Sequence, residues 1–237
     1  MKKCNIDKLN FVYDQVGDLT WLEKDFKNGW LESSRALFDS GLEICYLPVP
    51  KELEVYALVS GLQFSIGLQE VVVKLQAEID QILGPVRRYW VKPENLGVEY
   101  CVFKWPSDSW DEAQTVNVKT VLNQMEFQAF HLYIGGIQIN RDGCVILKGF
   151  DQHQSLFTIR NYLRESIEFL PKKQSNWAHI PIGRILNPIG ETRFNKLREY
   201  IHGHKTSHLY TEIISEAKFV HETRWYMEEH EVIMEVS

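Results

Sequence analysis

The sequence predicts an α+β fold of two pseudo-symmetric lobes, each an antiparallel sheet with helices on one face, around a central cleft. Three observations carry that expectation. From residue 55 onward, strand-like segments alternate with segments whose apolar residues recur every three or four positions. Two helical segments stop at proline with basic residues nearby, Gly84-Pro85 before Arg87-Arg88 and Pro171 before Lys172-Lys173. The order strand, helix, stop, strand, helix, long strand also occurs twice, offset by about 80 residues. Each such unit has an apolar sheet face that its helices must cover, so two lobes follow.

Residues 55–66 read as strand, through Val55-Tyr56-Ala57-Leu58-Val59 and Phe64-Ser65-Ile66. Residues 68–83 place Leu68, Val71, Val72, Leu75, Ile79, Ile82 and Leu83 on one helical face, ended by Gly84-Pro85. A turn at Pro93-Glu94-Asn95 leads into a strand from Leu96 to Phe103, then a helix over 111–125 capped by Ser109 or Asp111. Residues 128–139 read as a long strand in which Gly135-Gly136 predict a bulge or a close backbone approach. Asn140-Arg141-Asp142-Gly143 is a hairpin turn into the strand Cys144-Val145-Ile146-Leu147. The second unit continues with a helix over 154–169, a strand over 178–186 and a helix over 190–202. Strands at 209–220 and 224–234 complete it. The halves, about 55–139 and 140–234, are read as interleaved lobes of one domain spanning 51–237.

Residues 1–50 are read as an appended extension. Trp21, Leu22, Phe26, Trp30, Leu31 and Leu37 follow helical spacing, and Pro48-Val49-Pro50 breaks it. The extension packs on the main domain or on a partner, and an oligomer formed through it is one expectation. The start, Met1-Lys2-Lys3-Cys4-Asn5-Ile6-Asp7, has no following apolar run and is not read as a secretory signal. Nothing approaches the roughly 20 apolar residues of a membrane-spanning helix. Cys4, Cys45, Cys101 and Cys144 are far apart and form no C-x-x-C pair, so a reducing, cytoplasmic setting is expected, with no metal and no cofactor. A formal net charge of −6 argues against an extended nucleic-acid interface and leaves room for one small phosphate-bearing ligand.

Two motifs carry a resemblance. Trp90-Val91-Lys92-Pro93-Glu94-Asn95-Leu96 and, further along, His179-Ile180-Pro181-Ile182-Gly183-Arg184 resemble the paired motifs of the 2H phosphoesterase superfamily of cyclic phosphodiesterases and RNA-ligase-like proteins. In that family the lead-in precedes a His-x-Thr or His-x-Ser, and a second such motif sits in a run ending in Arg. The resemblance covers about residues 55–234 and implies a nucleotide or RNA-end ligand bearing a 2′,3′-cyclic or related phosphodiester. It also implies that Gly97 and His179 occupy matching places on strands facing one cleft.

This chain departs from the pattern. Gly97 stands at the first His position and Glu99 at its hydroxyl partner; His179 is kept, and Pro181 replaces the second hydroxyl residue. Opening a cyclic phosphate requires a base for water and an acid for the leaving oxygen, which two imidazoles supply near neutral pH. Gly97 transfers no proton and Pro181 has neither hydroxyl nor N–H, so the two-histidine route is closed. Strand side chains alternate, so 97 and 99 share one face, as do 179 and 181. His179 as general acid and Glu99 as base are therefore the candidate catalytic pair of a rewired site. Gly97, Pro181, Tyr89 and Trp90 are candidate substrate contacts, the last two by stacking a base, with core packing as the competing role. The alternative is a non-catalytic ligand- or protein-binding module.

Strand parity assigns Arg184 and Tyr100 to the opposite face, away from ligand. His202, His204 and His208 are read as a solvated loop rather than a metal site, and His131 as a structural histidine. No Ser/His/Asp order, phosphate-cradling glycine loop or G-x-G-x-x-G occurs, which sets those enzyme classes aside.

Overall fold

In a computed structural model of the chain, residues 3–44 and 47–237 are described, with side chains for 7–40 and 47–237. Cys4, Cys45 and the first two residues lie outside those side chains. The chain opens with α1 (Lys3–Thr20), α2 (Asn28–Arg35), β1 (Phe38–Ile44) and β2 (Leu47–Pro50). Then follow β3 (Glu52–Gly61), α3 (Ile66–Leu83), β4 (Arg88–Trp90), a 3₁₀ turn (Pro93–Asn95), β5 (Gly97–Lys104), α4 (Glu112–Asn123) and β6 (Phe130–Ile139). The rest is β7 (Cys144–Asp151), α5 (Ser155–Ser166), β8 (Ala178–Ile185), α6 (Glu191–His204), β9 (Tyr210–Ile214), β10 (Ala217–Arg224) and β11 (Glu229–Val236).

The larger strands form two antiparallel sheets. One runs β11-β10-β3-β5 and the other β4-β8-β7-β6-β9. Each draws strands from both 55–139 and 140–234, so the chain crosses between lobes repeatedly. Helices α4 and α5 cover the outer face of the four-stranded sheet, while α3 and α6 cover the outer face of the five-stranded one. The inner faces look toward each other. Among the described residues no helix is long and apolar enough to cross a membrane.

Local chemistry explains most boundaries. Helix α3 starts at Ser65, whose Oγ accepts the Leu68 N–H at 3.4 Å. Helix α4 starts in a reciprocal box: Asp111 accepts the Gln114 N–H at 2.9 Å and donates its own N–H to the Gln114 side chain at 3.0 Å. The Gly135-Gly136 bulge is present, as a register shift between Ile134 and Ile137. Gly136 is left-handed at φ +131°, and a side chain there would strike the Lys205 carbonyl.

Three expectations are corrected. The strand expected over 55–66 ends at Gly61, because Leu62 and Gln63 take left-handed φ values of 53° and 107° and turn the chain into α3. The strand expected over 209–220 is two strands in different sheets: β9 pairs with β6 and β10 with β3. The periodicity through Trp21–Leu37 is not one helix. Trp21 and Phe26 sit in the turn between α1 and α2, and both rings pack on Phe194, at 5.1 and 5.2 Å. Helical spacing there reflects one shared tertiary neighbour. Asp25 fixes that turn by accepting the N–H groups of Phe26, Ile189 and Gly190.

The extension also fills space. Helix α1 lies on the inner face of β6 and β7, so β7 is buried on both faces. Tyr13 is fully buried, edge-on to Phe150 at 5.6 Å and Trp177 at 5.2 Å. Lys148, also fully buried, donates to Asn10 at 3.1 Å and to Asp14 at 3.4 Å, so a buried ammonium is satisfied by α1. Tyr13→Ala is therefore expected to lower the unfolding free energy by about 3–5 kcal/mol. Urea unfolding checks this, and a loss below about 1 kcal/mol would mean that α1 is a detachable arm.

Candidate functional site

The inner walls meet at β5 and β8, which run beside each other without sharing a ladder. Arg160 of α5 joins them. Its guanidinium is 2 % exposed and donates to the carbonyls of Tyr100 (3.0 Å), Glu99 (2.5 Å) and Trp177 (2.8 Å). One nitrogen, Nη2, serves both Glu99 and Trp177, so the two main chains are fixed close together. Gln174 caps the free edge of β5, accepting the Val102 N–H at 3.0 Å and donating to its carbonyl at 2.7 Å.

Residues 97 and 99 of β5 face the space between the sheets, as do 179 and 181 of β8. Beyond Pro181 the alternation breaks. Val145 pairs with Gly183 and Ile146 with Pro181, so Ile182 is an inserted residue. Gly183 is required there, since a Cβ would collide with the Trp90 ring. The bulge reverses parity and brings Arg184 onto the inner face with His179. The expectation that Arg184 points away is thus overturned. It donates to Asp142 (2.7 Å), to Ser34 of α2 (2.6 Å) and, through Nε, to the Tyr226 hydroxyl. Tyr100 keeps its outward place, bonded to Ser60 at 2.8 Å.

The β10–β11 connection closes one end. Tyr226 and Met227 take left-handed φ values of 64° and 55°, positions that cost bulky residues energy unless their surroundings hold them. Here the Met227 N–H donates to Glu222 at 3.0 Å, and Tyr226 packs on Tyr89 at 4.9 Å. Glu228 accepts from the Tyr89 hydroxyl and the Lys92 ammonium, each at 2.5 Å. The hairpin tip of one sheet is thereby fastened to the other.

The cleft between the walls has a volume of about 1060 Å³ and is lined by Gly97, Glu99, His179, Pro181, Arg184 and Glu222, among others. Val55, Ala57 and Val59 give it an apolar wall, and Ser33 and Leu37 of the extension contribute to its edge. Trp105, Trp225, Lys172 and Lys173 stand at the mouth, both lysines exposed. Burial pushes the Glu222 carboxyl up to about 7, opposed by the Met227 N–H and reinforced by Glu99. Burial also raises Glu99, against the pull of Arg160. His179 is depressed to about 4 by burial and then by Arg160, opposed by the Trp177 main chain, and its Nδ1 is buried. At neutral pH the imidazole is uncharged and the carboxyls hold protons unusually well.

Of the sequence candidates, Gly97, Glu99, His179 and Pro181 come together on this cleft. Tyr89 and Trp90 do not line it: Tyr89 is buried behind the hairpin tip, and the Trp90 indole N–H donates to Asp80 of α3 at 2.7 Å. His202 and His204 are in the last turn of α6 rather than a loop, His204 close to the Tyr200 carbonyl at 2.9 Å. His208 bonds Thr211 at 2.9 Å, and His131 is exposed. Among the described residues no His, Cys, Asp and Glu group is arranged to hold a metal ion. Sequence reasoning missed Glu222, Arg184 and the Trp105–Trp225 pair. Gly183 inside a strand was the available signal for Arg184; Glu222 had none, because it falls between the strands expected at 209–220 and 224–234.

No protein-family model and no curated protein matches the sequence. Solved structures do match in fold. TT0787 of Thermus thermophilus gives a TM-score of 0.55 at 10% identity, covering 77% of this chain and 97% of that one. Escherichia coli LigT complexed with phosphate gives 0.52 at 12% identity, covering 78% and 97%. A phosphoesterase structure gives 0.52 at 11% identity, covering 77% and 96%. LigT complexed with ATP matches at 0.50 and 12% identity, over 78% and 97%. The chain therefore shares the two-lobed α+β fold of these structures.

Opposite pKa shifts in one cleft give a stability signature. Glu222 binds its proton more tightly folded than unfolded, so its contribution is full below its ordinary 4.5 and lost as pH rises through about 7. His179 is the reverse: its contribution is full above 6.5 and lost as pH falls through about 4. Each is worth on the order of 3 kcal/mol, and they offset each other between these limits. Relative to the parent chain, Glu222→Gln is expected to lose stability as pH falls from 6.5 to 5. His179→Gln is expected to gain stability over the same fall. Thermal melts across pH 5–8 test both; parallel curves for all three proteins would contradict the shifts.

Proposed function

We propose that the chain binds a nucleotide or RNA-end phosphodiester in this cleft and does not hydrolyse it by a two-histidine route. The observation that carries the reading is that Gly97, Glu99, His179 and Pro181, the four positions matching the family motifs, line one cleft between β5 and β8. The matching LigT structures hold phosphate and ATP, which supports a nucleotide-sized ligand for a cleft built on the same fold. The departures argue against the family's chemistry: no hydroxyl stands at 99 or 181 to hold phosphate oxygens as charge shifts. In this reading α2 is a fixed part of the site, because it supplies Ser34 to Arg184 and Ser33 to the cleft edge.

A second reading is favoured by the direction of the shifts. Burial moves the Glu99 carboxyl toward its protonated form and His179 toward its neutral form, the directions that suit a general acid and a general base. That gives Glu99 as acid and His179 as base for phosphodiester cleavage, the reverse of the allocation made from sequence. The two readings separate in one experiment. Thermal melts with a panel of nucleoside monophosphates and 2′,3′-cyclic nucleotides are expected to rise by roughly 5 °C at about 100 times Kd, with no linear product by chromatography. Product formation lost in both Glu99→Gln and His179→Ala would establish the second reading. No shift with any nucleotide would sink the first.

A further inference from the structure

The cleft is electrically graded from floor to mouth. Glu222 at the floor is 4 % exposed, and Glu99 is half-buried beside it. One Glu222 oxygen accepts the Met227 N–H, and neither carboxyl forms an ion pair among the described residues. Arg184, the cation on the facing wall with His179, is already paired with Asp142. At the mouth Lys172 and Lys173 are exposed, and the Lys173 ammonium lies 5.1 Å above the Trp105 ring. Trp105 and Trp225 stand 6.5 Å apart at 47°, between the acidic floor and the solvent. Neutral His179 adds no positive charge to the floor.

A phosphate pushed to this floor would meet two carboxyls, with Arg184 already paired and Arg160 behind the wall, turned to main-chain carbonyls and absent from the lining, whereas hydrogen-bond donors would find acceptors there. The mouth offers the opposite: ammonium groups for an anion and indole faces for a planar ring. We propose that the cleft selects a nucleotide whose base carries an exocyclic amine, held base-inward on Glu99 and Glu222 with its phosphate outward on Lys172 and Lys173. This rests on the nucleotide reading above and fixes the ligand's orientation and class. Cytidine and uridine monophosphates separate the idea, since they share ribose and phosphate but present an amine or a carbonyl at the same ring position. A carbonyl set against a carboxyl oxygen leaves both acceptors unpaired unless a proton intervenes.

The test is calorimetric titration of the full chain at pH 8.5, above the value of about 7 to which burial raises Glu222 so that its carboxylate only accepts, with cytidine monophosphate, uridine monophosphate and cytidine. Cytidine monophosphate is expected to bind about 10-fold or more tightly than uridine monophosphate. Glu222→Gln is expected to shrink that ratio to about 3-fold or less, because its amide offers a donor to the uracil carbonyl. The exposed double variant Lys172→Ala with Lys173→Ala is expected to weaken both monophosphates about 10-fold while sparing cytidine, and it reports even if Glu222→Gln does not fold. Equal binding of the two monophosphates, or a lysine variant that binds both unchanged, overturns the inference and leaves nucleotide binding standing. Absence of saturable binding by either monophosphate overturns the nucleotide reading and the inference together.

Discussion

One buried guanidinium holds the two lobes in register. Arg160 binds the carbonyls of Glu99 and Tyr100 on one side and of Trp177 on the other. These carbonyls belong to an edge strand and to the approach of β8, where no ladder bond joins the sheets. Without the cation they would be acceptors buried without donors, a heavier loss than the bonds alone. The same charge acts on the cleft, drawing Glu99 toward its anion and His179 away from its cation. Width of the cleft and protonation of its walls thus share a cause.

Gly97, Glu99 and Pro181 decide more than whether a proton can be transferred. They give the cleft a floor with acceptors and neither hydroxyl nor imidazole at 97, 99 and 181. Glu222 deepens this, arriving from β10 and locked by the N–H of Met227 in a strained hairpin tip. Arg184 does not restore the balance, because Asp142, Ser34 and Tyr226 occupy its donors. It acts as a knot joining extension, β6–β7 turn and β10–β11 tip. Positive charge is left to the loop after α5, at the mouth.

The sequence made the fold legible where periodicity and glycine carry local meaning. Alternating segments located most helices and strands, and Gly135-Gly136 announced the β6 bulge. The Pro and basic stops marked the end of α3 and the loop after α5. The motif lead-in placed Gly97, Glu99, His179 and Pro181 on facing strands. What stayed hidden depends on tertiary partners. The Ile182 insertion, which turns Arg184 inward, was signalled only by Gly183, whose reason is the Trp90 ring packed over it. Splitting of 209–220 into two sheets has no period change to mark it, because β9 and β10 are both strands. Tyr89 and Trp90 were aromatic and near the motif, yet their polar atoms are committed to Glu228 and Asp80.

In the proposed complex the ends of the ligand are distributed by charge, donors to the carboxyl floor and phosphate to the lysine mouth. A crystal structure of the chain grown with cytidine monophosphate observes this directly. The cytosine amine is expected within hydrogen-bond reach of Glu99 or Glu222, and the phosphate beside Lys172 and Lys173. A phosphate seated between Gly97 and His179, with the base toward solvent, would contradict it.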